Sequence, residues 1–208
     1  MKVLHIGGTG EISYACVHAS RREGHEVAVF NRGSRDEPLP DGVRQITGDM
    51  KDHDAYGKLG DEGFDVVCQF LAFDAEQFER DKQVFGGKVS QYVLIGTASA
   101  YRKPPINHVI TEDTPLVNPF WPYSAKKIEM EQAATAAHRA GELPVTIVRP
   151  SHTYRRKFPG TFISGDQIAA RMMHGKPVIV HGDGQSLWVL THADDFAAAF
   201  VRLLGRDE

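Results

Sequence analysis

Two rhythms of apolar residues run along the chain. Short, nearly continuous apolar runs predict strands, and longer stretches with helical spacing lie between them. Lys2 to Ile6 is the first strand, and it ends in Gly7-Gly8-Thr9-Gly10. Ile12 to Glu23 reads as a helix, stopped by Gly24. His25 to Phe30, Val43 to Ile46 and Asp65 to Leu71 are the second, third and fourth strands. Asp74 to Phe85 is helical and ends at the Gly86-Gly87 pair; Tyr92 to Ile95 is a buried fifth strand. Ser124 to Ala140 is rich in Ala, Lys, Glu and Gln, all strong helix formers. Pro144 to Val148 is a sixth strand. The tail reads as a helix near Asp166 to His174, a short strand at Val178-Ile179-Val180, and a helix from Ala193 to about Leu204.

Strands alternating with helices imply right-handed crossovers and a parallel sheet covered on both faces, a doubly wound α/β fold. Two stretches break the rhythm. Residues 101–122 hold five prolines without periodicity, and residues 151–164 are basic and loop-like, with Arg155, Arg156 and Lys157. Both follow strands at the carboxyl edge of the expected sheet, where α/β proteins bind ligands.

Composition narrows the function classes. A chain of 208 residues fits one domain and can bury a core without a metal or disulfide staple. A formal charge of -3 carries no strongly basic footprint for nucleic acid. Cys16 and Cys68 sit in apolar patterns and read as buried free thiols in a reducing compartment; no Cys/His spacing points to zinc, so no metal is expected. The longest apolar run, Phe196 to Val201, is too short to span a membrane, and the N-terminus has no signal-peptide pattern. The expectation is a soluble cytoplasmic protein with a small-molecule substrate.

Gly7-Gly8-Thr9-Gly10-Glu11-Ile12-Ser13 links the first strand to the first helix. Glycines permit the tight turn and let the backbone approach a pyrophosphate, while the helix start at Glu11 and Ile12 supplies free N–H groups. Ser13 stands where a third glycine is usual; it is small enough to keep close packing, with some loosening. The second strand ends near Asn31 and Arg32 rather than at an acidic residue. A guanidinium there suits a 2′-phosphate, so the NAD(P) reading leans to NADP.

Tyr123 and Lys127 lie four residues apart, on one face of a helix. A phenol is a poor base at neutral pH, and a neighbouring ammonium or oxidised nicotinamide would lower its pKa. The fifth strand runs into Gly96-Thr97-Ala98-Ser99-Ala100-Tyr101, where Thr97 or Ser99 offers a hydroxyl to a substrate alcohol or carbonyl, or caps a turn.

Four blocks in order, GGTGEIS, LIGTASAY, YSAKK, and RPSHTY with the downstream HGDGQSLWVLTHADDFA, resemble the extended short-chain dehydrogenase/reductases of the NAD-dependent epimerase/dehydratase family. The resemblance covers nearly the whole chain. It implies a Rossmann fold and a nicotinamide-dependent epimerase or reductase, perhaps acting on a nucleotide sugar. Thr97 falls at the catalytic Ser/Thr position, Tyr123 at the acid/base and Lys127 at the ribose-binding residue. Gly7, Gly10, Glu11 and Ile12 match the pyrophosphate turn. Asp49 and Met50 match a pair contacting adenine, Leu71, Ala72 and Phe73 a loop passing the cofactor, and Pro150 a position near the nicotinamide amide. His152 stands where related epimerases carry a substrate-contacting Asn, and Ser99 is the second substrate-side candidate. The 4,6-dehydratases carry Asp-Glu after the catalytic Thr, whereas Ala98 and Ser99 stand here, so elimination of water by that route is not expected.

The resemblance divides the chain into a dinucleotide-binding part, 1–150, and a partial substrate-binding part with the last Rossmann helix, 151–208. Relatives run to roughly 300 residues. A seventh strand and most of the substrate lobe are therefore expected to be missing or supplied by a partner. The family also implies a homodimer through the Tyr-x-x-x-Lys helix. A different class stays open: a cofactor-binding protein without catalysis, or an RNA-binding relative. Arg155, Arg156 and Lys157 with Tyr154 and Phe158 would form its basic aromatic patch, against which the net charge argues.

Overall fold

A computed structural model describes residues 1–160, 165–185 and 187–206. Part of the basic loop (161–164) and Ser186 of the HGDGQSLW segment lie outside the described residues. The strands are β1 (Lys2–Ile6), β2 (Glu26–Asn31), β3 (Arg44–Thr47), β4 (Val66–Gln69), β5 (Gln91–Ile95) and β6 (Val145–Val148). The intervening helices are α1 (Ser13–Arg22), α2 (His53–Gly57), α3 (Ala75–Phe85) and α4 (Pro122–Arg139). Beyond them lie β7 (His152–Tyr154), α5 (Gly165–Met173), β8 (Leu190–His192) and α6 (Ala193–Phe200).

The main sheet has six strands in the order β3-β2-β1-β4-β5-β6, and every pairing is parallel. Alternation within each strand builds two cores. Leu4, Ile6, Ala28, Phe30, Val67, Tyr92 and Leu94 face one side, where Phe78, Phe85, Met130 and Ala134 of α3 and α4 cover them. Val3, Val66, Cys68, Val93 and Ile95 face the other, under Ala15, Cys16 and Ala19 of α1 and Ala193, Ala197 and Phe200 of α6. Burial on both faces is why the central strands read as continuous apolar runs. Both cysteines are free and buried, and burial raises both thiol pKa values.

A carboxylate sits inside the first core. Asp81 accepts hydrogen bonds from Tyr56 (2.7 Å), Tyr92 (2.6 Å) and Gln69 (2.6 Å). Burial pushes its pKa up, and those three donors pull it back. Gln69 then accepts from the Leu71 N–H at 2.7 Å, which ties this network to the loop after β4.

The segment Val178-Ile179-Val180, expected as a strand, is irregular, and Ile179 and Val180 are exposed. Those side chains have no buried face to pack on. The strand in this region is β8, and it pairs in parallel with β7 over His152↔Leu190 to Tyr154↔His192. The proline-rich stretch is irregular, as expected. A Tyr101↔Leu116 bridge closes it, and bonds from Arg102 N to Pro115 O and from Lys103 N to Val117 O (both 2.8 Å) reinforce the closure. A half-open cavity of about 260 Å³ within it is lined by loop residues alone, Ile106, Val109 and Ile110 among them. Among the described residues no helix is long and apolar enough to cross a membrane.

Candidate active site

Strand order reverses between β1 and β4, and the loops leaving these strands frame the crevice where such sheets bind ligands. Gly7 and Gly8 have φ of +120° and +78°. A Cβ on Gly8 would stand 2.5 Å from Val29 Cγ1, so the turn accepts no side chain there. Ser13 is buried, and its Oγ accepts the Gly10 N–H at 2.9 Å, which holds the turn against the helix start. The serine is thus a staple rather than a source of loosening. The N–H groups of Glu11 and Ile12 bond no backbone carbonyl among the described residues, and Glu11 Oε2 is buried without a partner. A backbone cradle at a helix start with open N–H groups fits a pyrophosphate.

Asn31 closes the end of β2. Its Oδ1 accepts from Gly33 N (2.8 Å) and Gln45 Nε2 (3.0 Å). Arg32 is exposed and makes no hydrogen bond among the described residues. Sequence reasoning passed over Arg35, whose Nη1 donates to Thr9 O at 2.9 Å and so lies against the glycine turn. Asp49 bonds its own turn through Lys51 N (2.9 Å), and Met50 packs on the main core. Gly48 N, beside them, donates to Asn31 O at 2.9 Å, joining this turn to the end of β2.

In the loop after β4, Ala72 is buried while Leu71 and Phe73 are exposed. Asp74 caps α3 by accepting from Gln77 N (3.0 Å), and Gln77 Oε1 accepts from Phe73 N (2.7 Å). This reciprocal cap pins the loop to the helix.

Lys127 is the junction. Its Nζ is buried and donates to Ala72 O (2.7 Å) and Ile95 O (2.8 Å). It lies 4.9 Å from the centre of the Phe73 ring and 6.0 Å from that of Tyr123. Burial lowers its pKa to about 8, against the upward pull of Glu131 and Asp74. Two of its three protons are committed, which leaves one to donate. Tyr123 sits half-buried in the first turn of α4 between Trp121 (rings 4.8 Å apart) and Phe73 (6.5 Å). Burial, with the Glu131 carboxylate, raises its pKa. The expected lowering by Lys127 is therefore not found in the chain alone: burial disfavours phenolate, and the ammonium is engaged by two carbonyls.

Glu131 was also missed. It is buried, it accepts from Arg149 Nε at 2.7 Å, and Arg149 in turn reaches Tyr101 OH at 3.1 Å. Thr97 caps the short 3-10 turn 98–100, and its Oγ lies 2.9 Å from Ser99 Oγ. Ser99 Oγ reaches Ser124 Oγ on α4 at 2.8 Å, so the β5 end is bonded to the turn of helix that carries Tyr123. Pro150 O accepts the Ala98 N–H at 2.9 Å. The strand ends and α4 thus bring Thr97, Ser99, Tyr123, Lys127, Ala72 and Phe73 to one place.

His152 lies on β7, with its ring edge-on to Trp188 at 5.9 Å. The basic run is partly paired, two of its cations sharing one carboxylate. Arg155 pairs with Glu37 at 2.9 Å and covers the Tyr14 ring at 4.3 Å, and Arg156 joins the same carboxylate at 3.3 Å.

Comparison with known proteins shows the family and the fold. The model of the NAD dependent epimerase/dehydratase family matches residues 3–208. The chain is 30% identical to the 2'-dehydrokanamycin reductase of Streptomyces kanamyceticus over all of its own length and 59% of that protein's. It is 28% identical to the chloroplast stem-loop binding protein of 41 kDa b of Arabidopsis thaliana, again over its whole length and 56% of that protein's. It thus spans less than two thirds of these relatives. The dTDP-glucose 4,6-dehydratase of Bacillus anthracis, solved with NAD, superposes with a TM-score of 0.82 at 21% identity, covering 100% of this chain and 73% of that one. The UDP-glucuronic acid 4-epimerase of Bacillus cereus, solved with UDP-glucuronic acid and NAD, gives 0.79 at 19% identity, covering 100% and 74%.

Proposed function

The chain belongs to the NAD dependent epimerase/dehydratase family, and from that membership we propose that it is a nicotinamide-dependent oxidoreductase or epimerase acting at a hydroxyl or keto group of a nucleotide sugar or similar small molecule. The observation that carries the reading is Lys127, whose ammonium joins the loop after β4, the end of β5 and the aromatic face of Tyr123 in one buried contact set. The glycine turn and the open N–H groups of Glu11 and Ile12 hold the pyrophosphate. Lys127 gives its remaining proton to the ribose. When bound, the nicotinamide supplies hydride exchange with a substrate carbon. Tyr123 moves the accompanying proton at its phenol oxygen, and Thr97 steadies the substrate oxygen. A phenol holds its proton at neutral pH, a state that suits donation to a carbonyl, and burial with Glu131 favours that state further.

NADP is the proposed cofactor. Asn31 is committed to Gly33 and Gln45, and the next side chain, Arg32, is an exposed guanidinium without a hydrogen bond among the described residues. The RNA-binding reading is weaker, because Arg155 is packed against Glu37 and Tyr14 and Arg156 shares the same carboxylate.

Tyr123→Phe tests the chemistry on 2'-dehydrokanamycin and UDP-4-keto-6-deoxyglucose with NADPH or NADH. Turnover should fall by about 10²- to 10⁴-fold while dinucleotide affinity stays unchanged. Undiminished turnover in the variant refutes the assignment.

A further inference from the structure

The hydroxyls around Thr97 form a chain whose direction can be read from burial and hydrogen-bond capacity. Its fixed end is Asn118, which is 8% exposed. Asn118 Oδ1 accepts the Phe120 N–H at 3.2 Å, and Nδ2 donates to Ser99 O at 2.7 Å. A backbone donor on one side and a backbone acceptor on the other leave one orientation for the amide. The second Nδ2 proton faces Ser124 Oγ at 3.4 Å. Ser124 is fully buried, and Ser99 Oγ, 2.8 Å away, is the one acceptor its proton meets among the described residues. Buried hydroxyls keep their protons bonded, so Ser124 donates to Ser99. Thr97 Oγ1 at 2.9 Å is then the acceptor left to the Ser99 proton among the described residues, and the Ser99 backbone N–H donates to the same oxygen at 3.2 Å. Thr97 Oγ1 has accepted twice. Its own proton has no acceptor among the described residues and is left for the site at the open end of β5.

We infer that Asn118 and Ser124 are positioning residues that fix the Thr97 hydroxyl as a donor into the site, so that the site selects a substrate by an oxygen able to accept. The inference rests on the reading above, in which Thr97 meets the substrate oxygen. It separates roles within the motif: Thr97 touches the substrate, while Ser99, Ser124 and Asn118 set the direction of its proton. A carbonyl oxygen can take the Thr97 proton and the Tyr123 proton together. An alcohol oxygen accepts from Thr97 and releases its own proton to Tyr123 only when the phenol has first lost its proton.

Asn118→Asp tests the direction. The carboxylate keeps the shape and the acceptor for Phe120 N–H but removes the donor. Ser124 then turns its proton to residue 118, Ser99 turns to Ser124, and Thr97 turns inward. With the dinucleotide and UDP-4-keto-6-deoxyglucose as probe, kcat should fall about tenfold or more at neutral pH, since losing an oxyanion donor altogether costs about 10²- to 10³-fold. Activity should climb back as pH falls and the carboxyl regains a proton to donate, a limb the wild type lacks. Ser124→Ala should lose activity likewise, and Ser124→Thr should restore it. Dinucleotide affinity and circular dichroism stay unchanged throughout. Wild-type kcat and pH profile in both Asn118→Asp and Ser124→Ala overturn the inference.

Neutron diffraction of the perdeuterated wild type reads the same point without turnover. A Thr97 deuteron directed away from Ser99 Oγ supports the inference, and one directed at Ser99 Oγ overturns it. A wild type that reduces no ketone defeats the catalytic reading, while the deuteron position still decides the direction of the chain.

Discussion

Replacing Lys127 by Met should change how stability depends on pH more than it changes the fold. The lysine is 2% exposed, and its pKa drops from 10.5 to about 8 because burial penalises the ammonium. That drop corresponds to about 3 kcal/mol working against the charged folded state. The folded chain therefore binds fewer protons than the unfolded chain between about pH 8 and pH 10.5, and stability rises with pH through that window. Below about pH 8 the penalty is present in full. Methionine has a similar length and no proton to lose, so it removes this dependence. It also strands the carbonyls of Ala72 and Ile95, a loss independent of pH. Urea unfolding of both proteins, in matched buffers from pH 7 to pH 10, isolates the lysine because every other group cancels in the difference. Wild type should gain about 2 to 3 kcal/mol on the variant across that range. Parallel curves would refute the reasoning. A wild-type advantage that shrinks as pH rises would mean that the folded state stabilises the ammonium instead.

Gly8→Ala places a Cβ 2.5 Å from Val29 Cγ1 at φ +78°, so it should cost about 2 kcal/mol or more and abolish dinucleotide binding, as thermal unfolding and calorimetric titration would record. Tyr92→Phe deletes the 2.6 Å bond to buried Asp81 and should cost about 1 to 3 kcal/mol in urea unfolding, with the fold intact by circular dichroism. Arg32→Ala should weaken NADPH about tenfold and leave NADH unchanged; an equal loss for both would place the guanidinium away from the 2′-phosphate.

The sheet was legible because its central strands are buried on both faces and the helices between them end at glycines such as Gly24, which has φ +81°. Helix α2 was not legible. It is five residues long, too short for a periodicity, though Asp52 is a recognisable cap that accepts from Ala55 N. The β7–β8 pair was missed because each strand is a three-residue, largely polar segment, and only tertiary pairing across some forty residues makes it a ladder. The apolar triplet at Val178 looked more like a strand than either of them, yet it lacks a partner surface.

The candidate site was legible where motifs carry it. Thr97, Tyr123 and Lys127 follow from LIGTASAY and YSAKK, and the structure brings them together. Their partners were not, because Lys127 is held by the carbonyls of Ala72 and Ile95, which no side-chain pattern records. Asn118 and Ser124 escaped for a related reason: residue 118 meets residue 99 only once the proline-rich loop has folded back on the β5 end. The direction of the Tyr123 pKa was misjudged because the sequence identifies a neighbouring lysine but not the burial of the phenol.

Calorimetric titration of the chain with NADPH and NADH in parallel, with Gly8→Ala as control, tests the central claim most directly. Saturable one-to-one binding of a dinucleotide that Gly8→Ala abolishes, with NADPH the tighter of the two, is the predicted result. Failure of the wild type to bind either dinucleotide would contradict the account, because every catalytic role assigned to Tyr123 and Lys127 depends on a nicotinamide seated against the glycine turn.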